Sequence, residues 1–175
     1  MTNEELQNML EAHEHWIKED IKGWENMRAD LRGANLSYAD LGDADLRDAN
    51  LMRANLMDAD LRDAKINIPL ACPSEGSFIA WKKCAEGRLV KIFIYKDSKR
   101  SSATTNKCRT DKAKVLSIVD IDTGEHYKEA FSNFDLSFIY RVGEIVKVDD
   151  FDEDRFNECS PGIHFFIDKE AAINY

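Results

Sequence analysis

The sequence predicts a mostly β protein in parts: a short four-sided coil of five-residue repeats with an N-terminal capping helix, followed by an α+β, mainly antiparallel β domain. Three observations predict it. From Ala29 a unit of the form A-[D/N]-L-x-x recurs without interruption. Before it, Leu6, Leu10, His13 and Ile17 fall at spacings of four, three and four. After it, from Pro69, the period disappears and aromatic and β-branched residues gather in short runs. The chain therefore divides into a helix and lead-in over 1–28, repeats over 29–68 and a mainly β domain over 69–175.

The first segment reads as a helix because its apolar spacing makes one stripe, with Trp16 beside it. Thr2 and Glu5 have the S/T-x-x-E form of a capping box. His13 and His15 are two apart and face different ways on a helix, which suits core-edge and solvent roles better than a metal site.

The repeats begin at Ala29, Ala34, Ala39, Ala44, Ala49, Ala54, Ala59 and Ala64, and the eighth, Ala64-Lys65-Ile66-Asn67-Ile68, lacks the acid or amide. A helix repeats near 3.6 and a strand at 2, so a strict period of five fits neither. A coil with four flat sides fits it. Leu31, Leu36, Leu41, Leu46, Leu51, Leu56, Leu61 and Ile66 then point to the axis and are all expected to be buried, each Ala fills a corner, and three positions per unit face water. No such unit buries its apolar face alone; stacked coils bury it together. Units four apart stack, which places Asp40, Asp43, Asp60 and Asp63 on one side, a solvated face or a contact surface for a host protein. At about 4.8 Å per coil, two coils rise only about 10 Å, too short to imitate a useful length of duplex.

In the last segment, 77–81, 89–95, 115–119, 137–140, 144–148 and 163–167 read as strands, with Gly76, Gly87, Gly124 and Gly143 between them. Asp168 caps a short final helix from Lys169.

With 175 residues, 43% hydrophobic and 33% charged, the chain can bury a real core. No apolar run reaches the roughly 20 residues of a membrane span, and the opening is acidic and amphipathic, so a cytoplasmic location and no membrane partner are expected. Cys72, Cys84, Cys108 and Cys159 are widely spaced, which favours free thiols. Residues 1–68 hold 15 acids and 8 bases, out of a chain total of 33 and 24. A half of net charge -7 is not built to dock on a phosphate backbone, so direct nucleic-acid binding by the repeats is not expected.

The five-residue units look like those of the pentapeptide-repeat family, and the resemblance implies a right-handed four-sided β-helix with about twenty residues per coil, here about two coils. The stretches SFIAWKKC, KDSKRSSATTNKCR, KAKVL, YRVGEIV and DDFDEDRFNECSPGIHFF, together with EAHEHWI near the start, resemble a domain of uncharacterised function that follows short pentapeptide arrays in phage and bacterial proteins. That resemblance implies a phage or prophage accessory protein at work inside a bacterium, in counter-defence or host takeover. It transfers no established catalytic residues to this chain.

Lys96 to Lys114 holds seven bases and two acids in an otherwise acidic chain. Within it Lys99, Arg100, Lys107 and Arg109 interleave with Ser101, Ser102, Thr104 and Thr105, and phosphate oxygens accept from both charged and neutral donors of this kind. No Gly-rich cradle accompanies them, so this is no P-loop. A nucleotide-like ligand is one reading, with Trp81 as a stacking surface; a polar hairpin loop paired with the acidic run Asp149–Asp154 is the other. That run lacks the alternating ligands and turn glycine of a calcium loop. Cys159 and His164 in ECSPGIHFF are the sharpest pair for nucleophilic chemistry, since an imidazole can deprotonate a thiol; a structural turn with a buried thiol and a hydrogen-bonded histidine is the alternative. The cysteines include no C-x-x-C pair, and neither a metal nor another cofactor is expected.

The leading expectation is a non-enzymatic accessory protein that binds or sequesters a small phosphate-bearing ligand such as a host defence signal, with the repeats as a scaffold or homo-oligomerisation block. Behind it stand an interaction protein or nucleic-acid mimic acting through the acidic face, and a Cys-His enzyme.

Overall fold

The computed structural model describes all residues from Met1 to Tyr175, and they separate into two units, Met1–Pro69 and Leu70–Tyr175.

The first unit opens with α1, Asn3–Lys18, whose capping box forms: the Glu5 N–H donates to the Thr2 hydroxyl at 3.1 Å and the Thr2 N–H to the Glu5 carboxylate at 2.6 Å. Glu19 ends the helix in the left-handed conformation. Leu6 and His13 are its buried residues. His13 goes deeper than a core edge: it is 0% exposed, and its ring accepts from the Ala29 N–H at 3.1 Å and donates to the Arg47 carbonyl at 3.0 Å. His15 stays outside, against Asp20.

In the repeats, residues twenty apart pair in parallel: Asp30 with Asn50, Asn35 with Asn55, Asp40 with Asp60 and Asp45 with Lys65. The physical role of each conserved position within the unit is local. The first N–H of the next unit donates to the Leu carbonyl, as Ala34 to Leu31 at 3.1 Å, closing a tight turn. The fifth residue takes a positive φ: Gly33, Tyr38, Asp43, Asp48, Arg53, Asp58 and Asp63 all lie between 55° and 63°. The acid or amide at the second position accepts from the N–H two residues on, in all seven complete units from Arg32 on Asp30 to Arg62 on Asp60. This side-chain turn replaces a backbone partner. Lys65 cannot accept, and the eighth unit makes no such turn.

Leu31, Leu36, Leu41, Leu46, Leu51 and Leu56 are buried, but Leu61 and Ile66 are only half-buried. The expectation of eight buried positions is corrected by two. These are the last two units of the array, where the axis is less covered than at Leu51 and Leu56.

The second unit is antiparallel throughout. Its strands are β1 Phe78–Cys84, β2 Arg88–Ile94, β3 Arg100–Ser101, β4 Cys108–Thr110, β5 Lys112–Asp120, β6 His126–Tyr127, β7 Glu129–Phe131, β8 Ile139–Arg141, β9 Ile145–Lys147 and β10 Ile163–Phe165, followed by α2, Lys169–Ile173. The main sheet runs β1-β2-β5-β6, with β9 on the early half of β5. Glu86 and Gly87 turn β1 into β2 with φ of 56° and 66°, the sign that matches strand twist. A second sheet runs β10-β4-β3, β7 and β8 form a hairpin, and a bridge between Trp81 and Phe166 links β1 to the end of β10. The core holds Ala80, Cys84, Val90, Ile92, Ile94, Val115, Ile118, Tyr140 and Phe165. No helix is long and apolar enough to cross a membrane.

Candidate functional site

The basic segment is a hairpin: Arg100 and Ser101 form β3, Cys108, Arg109 and Thr110 form β4 with every residue buried, and 102–107 loop between them. Its two arginines are consumed by main-chain oxygens. Arg109 is 2% exposed, and its guanidinium donates to the carbonyls of Asp152 (3.0 Å), Pro161 (3.0 Å) and Asp154 (2.7 Å). Burial pulls its pKa down, while Asp152, Asp154 and Glu158 pull it back. Phe151 lies under it, 5.4 Å from the ring centroid. Gly162 is required beside it, because a Cβ there would stand 3.2 Å from the Arg109 Cβ. Arg100 donates to the carbonyls of Pro73, Gly76, Tyr95, Lys96 and Ser98 at 2.8–3.4 Å. Arg100 and Arg109 are therefore clamps that hold three loops to the sheet.

The hydroxyls are partly spent in the same way. Thr105 donates to Glu158 at 2.8 Å, and the N–H groups of Thr104 and Thr105 converge on the other oxygen of that carboxylate. Ser102 accepts from the Ala71 N–H at 2.8 Å. Lys99 pairs with Glu153, and Lys107 reaches the Cys159 Sγ at 3.5 Å. The acidic run thus meets the basic segment mostly through its backbone, while Asp152 and Asp154 fold their own carboxylates back onto N–H groups two residues on.

Beside the segment lies an open concavity of about 400 Å³, lined by Leu70, Lys99, Arg100, Ser101, Phe151, Glu153 and Arg155. It brings together three of the sequence-predicted residues, Lys99, Arg100 and Ser101, and not the others: Ser102, Thr104, Thr105, Lys107, Arg109 and Trp81 lie outside its lining. Two of its residues carry buried polar atoms with no protein partner, Ser101 Oγ and Arg155 Nη2. Arg155 is anchored through Nε on the Ser102 carbonyl at 2.9 Å. A buried hydroxyl and a buried guanidinium nitrogen without partners each cost about 1–3 kcal/mol. Sequence reasoning missed Arg155; the available signal was a lone base inside the acidic stretch DDFDEDRFNE.

Trp81 is flanked instead by Lys91 and Lys169, whose Nζ atoms lie 5.5 and 5.6 Å from its ring. Cys159 and His164 are not hydrogen-bonded to each other. The thiol is exposed beside Lys107, which corrects the expected buried thiol, while the His164 Nε2 donates to the Ser160 carbonyl at 3.2 Å, and burial with Lys82 and Lys107 nearby drives its pKa down to about 4. Cys72, Cys84 and Cys108 are buried free thiols, and no three His, Cys, Asp or Glu side chains are grouped to hold a metal ion. On the repeats, Asp40 and Asp60 are bound into their turns, and Asp60 also pairs with Arg62 at 2.5 Å, which lowers its pKa to about 2. Asp43 and Asp63 remain as exposed carboxylates at the turn tips.

Compared with known families, residues 68–172 match a family of unknown function, DUF5758, and residues 27–67 match pentapeptide repeats in eight copies. No curated protein and no solved structure matches.

Proposed function

The chain belongs to the family of unknown function DUF5758 and carries eight pentapeptide repeats, and from that premise we propose a non-enzymatic accessory protein that binds a small phosphate-bearing ligand in its C-terminal unit. The observation that carries this reading is the site between β3 and the acidic segment, whose lining sets Lys99 beside Ser101 and Arg155, the Ser101 hydroxyl and the Arg155 Nη2 both being without a protein partner. A phosphate offers several acceptor oxygens at once, which matches charged and neutral donors set side by side. Phe151 gives the same site an aromatic wall for a base. The resemblance to phage and prophage accessory domains supplies the setting, a bacterial cytoplasm, and with it a nucleotide-like host defence signal as the ligand.

In this reading the repeats are a scaffold or self-association block. We read them as about two coils of a right-handed four-sided β-helix, supported by parallel pairing at a separation of twenty and by the single line of buried leucines.

Calorimetry of the full chain against cyclic and linear nucleotides tests the proposal, with Arg155→Gln and Ser101→Ala beside the parent. Arg155 is the better probe than Arg100, whose five carbonyl bonds serve the fold. Binding to one nucleotide class is expected, weakened in Arg155→Gln by about 1.5–3 kcal/mol, the range for hydrogen bonds to charged groups. No heat with any nucleotide, or equal binding by both variants, overturns it.

A further inference from the structure

The core of the second unit takes one face of the main sheet, with Ala80, Val90, Ile92, Val115 and Ile118 turned inward. Side chains alternate along a strand, so the residues between them share the opposite face, and the register sets that face out in rows. Ile79, Phe93, Lys114 and Ile145 form one row across β1, β2, β5 and β9. Trp81, Lys91 and Ser117 form the next. On the other side of the first row stand Tyr95, which packs edge to face on Phe93 at 5.1 Å, and the pair Lys112 and Lys147. Past the Trp81 row, at Leu89 and Val119, the face is closed by Phe166 and α2. The three rows before it stay open, with Phe93, Tyr95, Lys91 and Lys114 half-buried and Ile145 and Lys147 exposed.

This face is basic in a chain of net charge -9. No Asp or Glu stands in the three rows. Lys112 alone is neutralised, by Asp97 at the rim at 2.8 Å. Lys91, Lys114 and Lys147 pair with no carboxylate, and neither does Lys169 at the start of α2. Trp81 gathers two of these cations, for the Lys91 and Lys169 Nζ atoms lie over its ring, 5.5 and 5.6 Å from the centroid. Like charges brought together repel, and a chain with 33 acids against 24 bases has carboxylates enough to relieve them. Their absence from these rows leaves the lysines to an anion from outside.

Charge and rings together select that anion. Lysines neutralise backbone phosphates, and aromatic rings among them give a surface on which any base can stack. A duplex keeps its bases inside the stack and cannot use the rings. A lipid surface fits less well, because insertion needs apolar groups that project beyond the charges, and here two ammonium groups lie over Trp81. We propose that the open face of the main sheet binds single-stranded nucleic acid without regard to sequence, with bases on Phe93 and Tyr95 and phosphates on Lys91, Lys114, Lys147 and Lys169. It shares no residue with the concavity at Lys99 and Arg155, so it is a second surface and stands apart from the nucleotide reading.

Fluorescence anisotropy of the full chain with a labelled oligothymidine or oligouridine strand of about 16 nucleotides, the upper end of the site size for such surfaces, tests it. The matching duplex, and sedimentation with vesicles of phosphatidylserine and phosphatidylcholine, stand beside it. Single-strand binding tighter than duplex binding is expected, with a log-log salt slope of about -3 for four lysines, and the tighter of the two strands names the sugar. Phe93→Leu, which keeps an apolar side chain on the outer face, is expected to weaken binding about fivefold or more. Lys91→Gln with Lys114→Gln is expected to flatten the slope by about 1.4, and Arg155→Gln to bind the strand as the parent does. No single-strand binding at low salt, equal binding to duplex, an unweakened Phe93→Leu, a loss in Arg155→Gln, or binding to vesicles alone overturns the proposal.

Discussion

His13→Leu should cost the first unit about 2–5 kcal/mol, because one imidazole ties α1 to the repeats at two places. The Ala29 N–H needs an acceptor and the Arg47 carbonyl needs a donor, so the neutral ring is fixed with its proton on Nε2. Leucine fills a similar volume and supplies neither group, and each backbone group left unsatisfied costs about 1–3 kcal/mol. Guanidinium unfolding followed by far-UV circular dichroism measures the loss, and Trp16, stacked on His13 at 5.4 Å, gives a local fluorescence signal. The same geometry sets a pH dependence. Burial lowers the His13 pKa, against the opposing pull of the Arg47 bond and Asp45. The folded state therefore binds fewer protons than the unfolded one, so the contribution is complete above about pH 6.5 and is lost as the pH falls below it. His164 acts with the same sign between about 6.5 and its folded value of about 4. His13→Leu should show a shallower acid slope than the parent. A loss under about 1 kcal/mol, or parent stability that rises from pH 7.5 to 5.5, would refute the reasoning.

Leu46 is 1% exposed at the centre of the buried line, and Leu46→Ala should lower unfolding stability by about 2–5 kcal/mol; a change well under 1 kcal/mol would contradict a packed axis. Changing Asp40, Asp43, Asp60 and Asp63 together to Asn should leave the fold intact, because the amide oxygen accepts the same turn N–H, whereas Asp60→Ala should destabilise by removing it; equal thermal midpoints for Asn and Ala at position 60 would refute this. Arg109→Met should cost about 3 kcal/mol or more in denaturant unfolding, since three carbonyls lose charged donors worth about 1.5–3 kcal/mol each; unchanged stability would mean the clamp is idle.

The repeats were legible because their period is the fold: each Leu, Ala and turn acid answers to its own unit. The two half-buried positions, Leu61 and Ile66, were not, because burial there depends on what stacks beyond the unit and the residue type does not encode that. In the second unit the long strands β1, β2 and β5 announced themselves by β-branched and aromatic runs. β3 and β4 did not, because a strand reading Cys-Arg-Thr is polar to the eye yet buried, its arginine satisfied by carbonyls from residues more than forty positions away. Pairing of that kind is written in the backbone and leaves no pattern in composition.

The partners of the basic side chains narrow the proposed ligand. A cluster of seven bases suggests a broad positive surface fit for a polyanion, but Arg100 and Arg109 are turned inward, Lys112 pairs with Asp97 at 2.8 Å, and Lys107 sits against Cys159. In the pocket only Lys99 and Arg155 can lend charge, and Lys99 is held by Glu153 on the same wall. That pair is exposed, and exposed pairs contribute little to stability, so an incoming anion can displace the carboxylate at small cost. The site therefore favours one phosphate group over an extended chain of them. Its binding should weaken with salt by the slope of one or two contacts, and Glu153→Gln, which frees Lys99, should bind the same nucleotide more tightly. A Glu153→Gln variant that binds less tightly than the parent would place the carboxylate among the ligand's own contacts and reverse the assignment.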